Sequence, residues 1–364
     1  MEELRVGILG GTGMVGQRFI TLLENHPWFE ITAIGASERS AGRTYREAVN
    51  SRWAMETDIP ANVADLMVKN ASEIDTVIDE VDCVFSAIST SRGLDKDAVR
   101  ALEEEYAKRE TPVVSAASAH RWTPDVPMII PEINSDHVDI IPAQRKRLGT
   151  KSGFVSVKPN CSIQPYVPPL HALAEFKPLK AVACTYQALS GAGRTFEDWP
   201  EMVDNIIPFI GGEEEKSEQE PLKIWGRIEG DEIVKADGPE ISAQCLRVPV
   251  SDGHLAATSV SFEIKPSIDR MIEAWRAFKG KPQQLKLPSA PIPFMTYYDE
   301  PDRPQTKLDR DAGDGMGITL GRLREDNLFD YKFVALSHNT VRGAAGGQLL
   351  LAELLKAEGY LEAK

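Results

Sequence analysis

The sequence predicts an α/β protein in which a doubly wound parallel sheet is joined to an α+β domain with a mixed sheet. Over about the first 160 residues, short buried-strand patterns alternate with helical ones, and the first strand leads into a glycine-rich turn. From about residue 162 the β-type runs become longer, as at 181–190 and 257–265. At 364 residues the chain is long enough for about two domains.

Composition and charge narrow the class of protein. The formal net charge is −14 and no basic stripe offsets it, which argues against nucleic-acid binding. No apolar run approaches the roughly 18 residues of a membrane span. The chain runs from Met1 into a strand pattern without a signal peptide, so a cytoplasmic protein is expected. The cysteines lie far apart, so neither a metal site nor a disulfide framework is predicted. They are Cys83, Cys161, Cys184 and Cys245.

The first strand pattern, at 4–9, leads into a glycine-rich turn and then a helical segment at 17–24. Gly11, Gly13 and Gly16 satisfy G-x-G-x-x-G in the strand–turn–helix context of the Rossmann fingerprint. Because these residues lack side chains, backbone amides and the helix start can approach a pyrophosphate. The pattern predicts a dinucleotide site, with a simple tight turn as the alternative.

The loop after the second predicted strand, at 29–36, lies where a Rossmann sheet reads the adenosine ribose. Glu38 could accept a hydrogen bond from a 2′-hydroxyl, as NAD requires. Arg39, with the hydroxyl residues Ser37 and Ser40, suits a 2′-phosphate instead. We interpret the loop as favouring NADP. The alternative is a polar loop in which Arg39 is only solvated.

Cys161 is the candidate nucleophile. A β-type run at 153–157 ends at a proline and is followed by Asn160, Cys161 and Ser162. If Ser162 caps a helix that starts near Ile163, the sulfur lies beside unpaired amides at a positive helix end, which favours the thiolate. The alternative is a small buried hydrophobic residue.

Further candidates follow along the chain. Arg121 comes after a strand pattern at 112–115, where a sheet of this kind exposes its ligand-binding crevice. It is a candidate anion-binding residue. Arg247 and His254 bracket a stretch that contains Pro and Gly. The acidic run at 211–216 leads into a polar helix and is interpreted as a solvated face. Other predicted elements are a strand at 81–89, a helix at 94–108 and an apolar helix at 348–358.

Together these motifs resemble the aspartate-β-semialdehyde dehydrogenase family over nearly the whole chain. The segments IGGEEEK and SERSAG are similar to its archaeal and fungal branch. The segments that carry the resemblance are GGTGMVGQ, SERSAG, SAASAHR, PNCS, TYQALSGAG, IIPFIGGEEEK, RVPVSDGH and HNTVRGAAGG.

The resemblance implies an NADP-dependent enzyme that converts aspartate semialdehyde and phosphate into an acyl phosphate through a cysteine thioester, a reaction of lysine, methionine and threonine biosynthesis that would run in reverse in cells. Cys161 would be the nucleophile and His254 the acid/base that accepts the thiol proton. Gln187 would hold the substrate and the acyl intermediate, and Arg247 would bind the substrate carboxylate. Each residue type suits its task, because a thiolate adds to aldehydes and an imidazole transfers protons near neutral pH.

The family also implies a phosphate site and a cofactor site. Arg121, Asn160 and Lys216 would bind phosphate, with Glu213 or a neighbouring glutamate at the substrate amino group. The implied cofactor residues are Gly11, Thr12, Gly13, Val15, Ser37, Arg39, Ser40, Ser89, Ser190, Gly191, Asn339 and Gly343. The nucleotide domain would be discontinuous, 1–160 and 339–364, around a catalytic and dimerisation domain at 161–338, in a homodimer or homotetramer.

Two other functions remain open on the sequence alone. An acyl-CoA reductase of the malonyl-CoA type could use the same scaffold, although the motifs around Asn160 and Arg121 suit phosphate better than CoA. A non-catalytic NADP-binding protein is the second alternative, because Rossmann domains are widely reused.

Overall fold

The N-terminal half of the chain forms a parallel sheet in the computed structural model, which describes residues 3–88 and 95–364. Its strand order is β3-β2-β1-β4-β5-β6, and every neighbouring pair is parallel. The order reverses between β1 and β4, which is where doubly wound sheets bind ligands. The predicted doubly wound sheet is therefore confirmed. The strands are β1 (Leu4–Leu9), β2 (Phe29–Ala36), β3 (Val68–Asn70), β4 (Cys83–Ser86), β5 (Val113–Ser115) and β6 (Val155–Val157).

The second sheet is mixed, as the longer β-type runs predict. Its order is β10-β7-β11-β14-β13-β12, with parallel pairs at both edges and antiparallel pairs between them. Residues along β11 alternate between buried and half-buried, so one face packs on the core. Trp275 fills that core. The strands are β7 (Pro178–Gln187), β10 (Glu240–Arg247), β11 (His254–Phe262), β12 (Met295–Tyr298), β13 (Ile318–Glu325) and β14 (Tyr331–Ser337), and a small hairpin adds β8 (Arg227–Glu229) and β9 (Glu232–Val234).

The helices cover the sheets and position the loops between them. Helix α5 is capped by Asp95, whose carboxylate accepts from the Ala98 amide at 2.7 Å. Along residues 3–88 and 95–364, none of the helices combines the length and the apolar character of a membrane span. The helices are α1 (Met14–Leu22), α2 (Tyr45–Val49), α3 (Ala61–Ala64), α4 (Asp75–Ile78), α5 (Lys96–Lys108), α6 (Ile141–Leu148), α7 (Val167–His171), α8 (Glu213–Ile224), α9 (Ile268–Ala277), α10 (Lys281–Leu285), α11 (Thr306–Asp309) and α12 (Gly346–Ala357).

The chain returns to the first sheet at its C-terminal end. A short π-helical turn, Val341–Ala345, leads directly into α12, which is buried from Gly346 to Leu355. The Gln348 side-chain amide donates to the carbonyl oxygens of Ser86 and Val114 on β4 and β5. The terminal helix thus packs against the nucleotide-type sheet, although the domain limits given above remain a prediction.

A buried ion pair joins this turn to the rest of the molecule. The Arg342 guanidinium donates to both carboxylate oxygens of Glu132 at 2.7 and 2.5 Å, and its Nε donates to Gln164 at 3.1 Å. Its planar group also lies 4.8 Å from the ring centre of Phe294. Because a paired, fork-shaped contact fixes orientation, the neighbouring Gly343 is held in one position.

One local prediction is wrong. No helix starts at Ile163: a single 3₁₀ turn, Cys161–Ile163, is followed by α7 only from Val167. Pro168 and Pro169 lack the N–H groups that a helix continuing from Ile163 would need. Ser162 caps nothing, and its hydroxyl lies 3.0 Å from that of Ser217.

Candidate active site

Cys161 lies in the 3₁₀ turn that follows β6, at the carboxyl edge of the first sheet. Its Sγ is 3.5 Å from Nε2 of His254 and 3.4 Å from Oδ1 of Asn160. A β-carbon added at Gly343 would come within 2.7 Å of Cys161 Cβ, so only glycine fits there. The residue as a whole is half-buried.

The expectation that the surroundings of Cys161 favour the thiolate must be corrected for this state of the protein. Burial raises the pKa of the Cys161 thiol, and the Glu213 carboxylate raises it further. The charges of Lys158, Arg121 and Arg247 oppose both effects. The stabilising charges are therefore nearby side chains and not the end of a helix.

His254, the first residue of β11, is fully buried beside the cysteine. The backbone N–H of Ala188 donates to its Nδ1 at 3.1 Å. In the neutral ring the proton is then on Nε2, the nitrogen that faces Sγ. Burial and the charge of Arg247 lower the His254 pKa to about 3. Accepting the thiol proton would oppose Nδ1–H to the Ala188 N–H, so the geometry favours His254 as a hydrogen-bond donor.

Gln187 and Arg247 end the parallel strands β7 and β10, and they are direct partners in the register. Arg247 is 6% exposed, and its Nη1 donates to the Ala188 carbonyl at 2.5 Å. Among the residues that the structure describes, no carboxylate is bonded to this guanidinium, and burial lowers its pKa. A buried, unpaired guanidinium is suited to a ligand carboxylate.

The loop 189–193 closes over these side chains. A β-carbon at Gly191 would lie 2.9 Å from Arg247 Nη1 and 3.0 Å from His254 Nε2. Asn339 fastens the loop, because its amide donates to the Ser190 hydroxyl at 2.8 Å and its oxygen accepts from the Gly253 amide at 2.7 Å. The structure thus brings Cys161, His254, the strand-end residues Gln187 and Arg247, and the loop 189–193 together in one pocket, the cysteine pocket.

A cluster of charged side chains lies on the other side of Asn160, the residue before Cys161. Asn160 donates from Nδ2 to Glu213 at 2.6 Å, and Lys216 pairs with the same carboxylate at 3.1 Å. Arg121 pairs with Glu220 at 2.7 Å, and Glu220 also accepts from the backbone N–H of Asn160 at 2.6 Å. The predicted phosphate-site residues therefore lie together, and Glu213 is the glutamate of the acidic run that faces this group.

The interpretation of the acidic run at 211–216 as a solvated face is wrong for Glu213, which is only 7% exposed. Further along the same helix, Glu220 is fully buried. Both point from one side of the helix towards the cysteine turn. Sequence reasoning missed Glu220, although its spacing from Glu213 of seven residues is the spacing of one helical face. It also missed the buried Lys158.

The glycine-rich turn has the shape that a dinucleotide phosphate needs. Helix α1 begins after Gly13, which has no side chain to cap the first amides of the helix. A β-carbon at Gly16 would meet the Gly10 carbonyl at 2.4 Å, whereas one at Gly13 would meet only that oxygen, at 3.4 Å. Gly16 therefore packs the helix onto β1, and Gly13, with the half-buried Thr12 and Val15, leaves space at the helix start.

The ribose-reading loop is polar and mostly exposed. Ser37, Glu38 and Arg39 are exposed, whereas Ser40 is 5% exposed and its amide closes a turn onto the Ser37 carbonyl at 2.9 Å. The loop therefore presents one carboxylate and one guanidinium to solvent, next to each other. Ser89, the remaining predicted cofactor residue, lies outside the described residues.

A metal centre finds no support in the part of the chain that the structure describes, because no cluster of three or more His, Cys, Asp or Glu side chains there could hold an ion.

Family models match both parts of the chain. Residues 5–141 match the model described as semialdehyde dehydrogenase, NAD binding domain. Residues 168–342 match the model described as semialdehyde dehydrogenase, dimerisation domain. The first span contains the parallel sheet from β1 to β5 but ends before β6, and the second contains every strand of the mixed sheet.

Relatives named aspartate-semialdehyde dehydrogenase match almost end to end. The proteins of Aspergillus fumigatus and Methanothermobacter thermautotrophicus are both 42% identical, over 98% and 97% of this chain and 98% and 99% of theirs. The crystal structure of the Candida albicans enzyme with NADP superposes with a TM-score of 0.87 at 39% identity, covering 99% of this chain and 100% of that one. The expected resemblance to the archaeal and fungal branch is confirmed, and the chain belongs to the aspartate-semialdehyde dehydrogenase family.

Proposed function

We propose that the protein is an NADP-dependent phosphorylating dehydrogenase that interconverts L-aspartate 4-semialdehyde and phosphate with 4-phospho-L-aspartate. The observation that carries the proposal is the contact between Cys161 Sγ and His254 Nε2 next to the unpaired guanidinium of Arg247. A nucleophile, a hydrogen-bond donor and a carboxylate-binding cation then act on one small substrate.

Substrate binding starts with the charges. The Arg247 fork binds the substrate carboxylate, and Glu213 accepts from the substrate ammonium. Gln187 is 1% exposed and donates to Thr185 at 3.2 Å, so its side chain is held at the strand end beside the acyl group. The aldehyde carbon is thereby oriented towards the sulfur of Cys161.

The chemistry needs a thiolate and an oxyanion donor. The Cys161 thiolate adds to the aldehyde carbon, and the new oxyanion accepts from Nε2–H of His254. NADP, when bound, accepts the hydride that leaves this carbon, so a thioester remains on Cys161. Since an oxyanion can expel hydride without first losing a proton, a neutral His254 is sufficient. The acid/base role implied by the resemblance stays a prediction.

Phosphate completes the reaction. One phosphate oxygen attacks the thioester carbon, the carbon–sulfur bond breaks, and the acyl phosphate leaves while Cys161 returns to the thiolate. Arg121, Lys216 and the Asn160 amide group would hold the phosphate. In cells the reaction would run in reverse, producing semialdehyde in the cytoplasm for the synthesis of lysine, methionine and threonine.

The cofactor would lie across the carboxyl edge of the first sheet. Its pyrophosphate would meet the amides at the start of α1, and its 2′-phosphate would meet Arg39, Ser37 and Ser40. The remaining cofactor residues would be Ser190, Gly191, Asn339 and Gly343, which line the cysteine pocket, and Ser89. The C. albicans structure with NADP supports the choice of cofactor.

The match of residues 168–342 to a dimerisation domain supports a homodimer or homotetramer. The packing of α12 on the first sheet supports a discontinuous nucleotide domain of 1–160 and 339–364, around 161–338.

One assay tests the function. Purified protein is given aspartate semialdehyde or malonate semialdehyde with NADP or NAD and with either phosphate or CoA, and absorbance of the reduced nicotinamide is followed. We expect reduction that requires phosphate and favours NADP. Turnover only with CoA would instead identify an acyl-CoA reductase, and no turnover with NADP binding intact would identify a non-catalytic binding protein.

A further inference from the structure

A buried lysine lies at the end of β6, three residues before the candidate nucleophile. Lys158 is 3% exposed, and its ammonium donates to the backbone carbonyls of Pro159 and Gly343. Within residues 3–88 and 95–364 no carboxylate forms an ion pair with it. A buried ammonium without an anionic partner is costly, so its position needs a physical reason.

The two carbonyls that hold Lys158 belong to segments that enclose Cys161. Pro159 lies two residues before the cysteine on the same turn. Gly343 packs so closely that an added β-carbon would approach Cys161 Cβ to 2.7 Å and Cα to 3.2 Å. The ammonium is therefore held by neutral acceptors on the two segments that enclose the cysteine, and these acceptors leave its charge uncompensated.

The other basic side chains near Cys161 either have an anionic partner or carry no charge. Arg121 pairs with Glu220 at 2.7 Å, and Lys216 pairs with Glu213 at 3.1 Å. Arg247 would be neutralised by the substrate carboxylate. His254 is held with its proton on Nε2 and contributes no full charge. Among the residues that the structure describes, Lys158 is then the positive charge that remains for a sulfur anion.

We propose that the Lys158 ammonium is the resident counter-charge of the Cys161 thiolate, a positioning residue that acts through the sulfur and touches no substrate. The inference rests on the proposed function only in taking Cys161 as the nucleophile. It gives the thiolate a cationic partner in a site where burial opposes ionisation of the cysteine and the histidine neighbour stays neutral.

The mutual pKa effects agree with this arrangement. Burial lowers the Lys158 pKa, and Arg121 lowers it further, while Cys161 and then Glu220 raise it and Arg342 lowers it. In return, Lys158 is the first of the charges that lower the Cys161 pKa. Each group thus favours the charged form of the other, as linkage requires.

A second buried lysine supplies an internal control. Lys223 is also 3% exposed, and its ammonium donates to the carbonyls of Arg121, Thr123 and Val126 at 2.8, 2.9 and 3.0 Å. Burial lowers its pKa to about 8, but the charges acting on it are those of Asp125, Glu220 and Lys235, not Cys161. The two lysines are equally exposed and both donate only to backbone carbonyls, two for Lys158 and three for Lys223, but only Lys158 has Cys161 among the charges acting on it.

The test is the pH dependence of Cys161 alkylation by iodoacetamide, read by peptide mass spectrometry in wild type, Lys158→Met, Lys158→Gln and Lys223→Met. Both Lys158 variants should move the midpoint up by about one pH unit or more, because a neighbouring cation has been lost. Lys158→Gln keeps a hydrogen-bond donor, so a wild-type midpoint in this variant would overturn the proposal. An equal shift in Lys223→Met would overturn it too.

The reciprocal measurement does not depend on the folding of the Lys158 variants. Lysine side-chain carbons are labelled and the Lys158 signal is titrated by NMR in wild type and Cys161→Ser. Loss of the thiolate should lower the Lys158 pKa, and an unchanged value would contradict the proposal. Since neither readout needs turnover, an inactive enzyme with a Lys158-dependent midpoint would refute the function and keep this inference.

Discussion

The cysteine pocket and the loop after β2 handle charge in opposite ways. In the pocket, Arg247 is 6% exposed and His254 fully buried, and each is held by the backbone of Ala188. In the loop, Glu38 and Arg39 are exposed and carry opposite charges next to each other. The pocket is fixed before any ligand arrives, whereas the loop can adapt to its ligand.

This difference sets the size of the effects expected from substitution. Removing a buried, fixed group leaves its partners unsatisfied and misplaces the substrate, which costs several kcal/mol. An exposed group competes with water, and its loss costs about 1 kcal/mol or less. Substitutions in the pocket should therefore abolish function, and those in the loop should only retune it.

The largest effect is expected for Cys161→Ser. A neutral hydroxyl cannot replace the thiolate, so turnover should fall below detection while NADP affinity, measured by fluorescence titration, stays within about twofold. Cys184→Ser, at a half-buried cysteine on β7, is the control and should retain activity. Retained turnover in Cys161→Ser would refute the assignment of the nucleophile.

Arg247→Leu should come next. Loss of two charge-assisted hydrogen bonds should raise the KM for semialdehyde by about 100-fold or more, and Arg247→Lys should recover only part because a point charge cannot copy a planar fork. Arg227→Leu, at an exposed arginine of the β8–β9 hairpin, serves as control. Normal KM values in both Arg247 variants would make this arginine structural.

Gly191→Ala tests how closely the pocket is packed. The new methyl group would lie 2.9 Å from Arg247 Nη1 and 3.0 Å from His254 Nε2, so both must shift and kcat/KM should fall about tenfold to 100-fold. A methyl group at Gly211 would meet only Phe209, at 4.0 Å, which makes Gly211→Ala the matched control. Equal activity of the two variants would show that the loop 189–193 is not closed over the site.

Arg39→Ala should have the smallest effect. Wild type should prefer NADP over NAD by about tenfold in kcat/KM, and the variant should lose most of this preference by weakening NADP alone. Arg46→Ala, at an exposed arginine of α2, is the control. A wild type that favours NAD, or a variant that loses both cofactors equally, would contradict our interpretation of the loop.

The sequence predicted the fold wherever local pattern and burial agree. The strand predicted at 29–36 is observed as Phe29–Ala36, because Phe29, Ile31 and Ala33 alternate with more exposed polar residues, which is the period of a strand. The helix predicted near Ile163 is not observed, because the prolines that follow prevent the helix that the possible cap at Ser162 suggested. The π-helical turn before α12 was not predicted, since its small residues carry no periodic signal.

The site was predictable to the extent that it lies at strand ends. Cys161, Gln187 and Arg247 all follow or end strands, and the topology brings such positions together. Lys158 and Glu220 were missed because a charged residue is normally read as exposed. Only the three-dimensional packing shows that both are buried against the cysteine turn.

The most direct test of the account is the covalent intermediate. Wild type is mixed with semialdehyde and NADP in the absence of phosphate, quenched in acid, digested and analysed by mass spectrometry. The account predicts an aspartyl group on the peptide that contains Cys161, which disappears when phosphate is added before the quench. An aspartyl group on another cysteine, or reduced cofactor formed without any adduct, would contradict it.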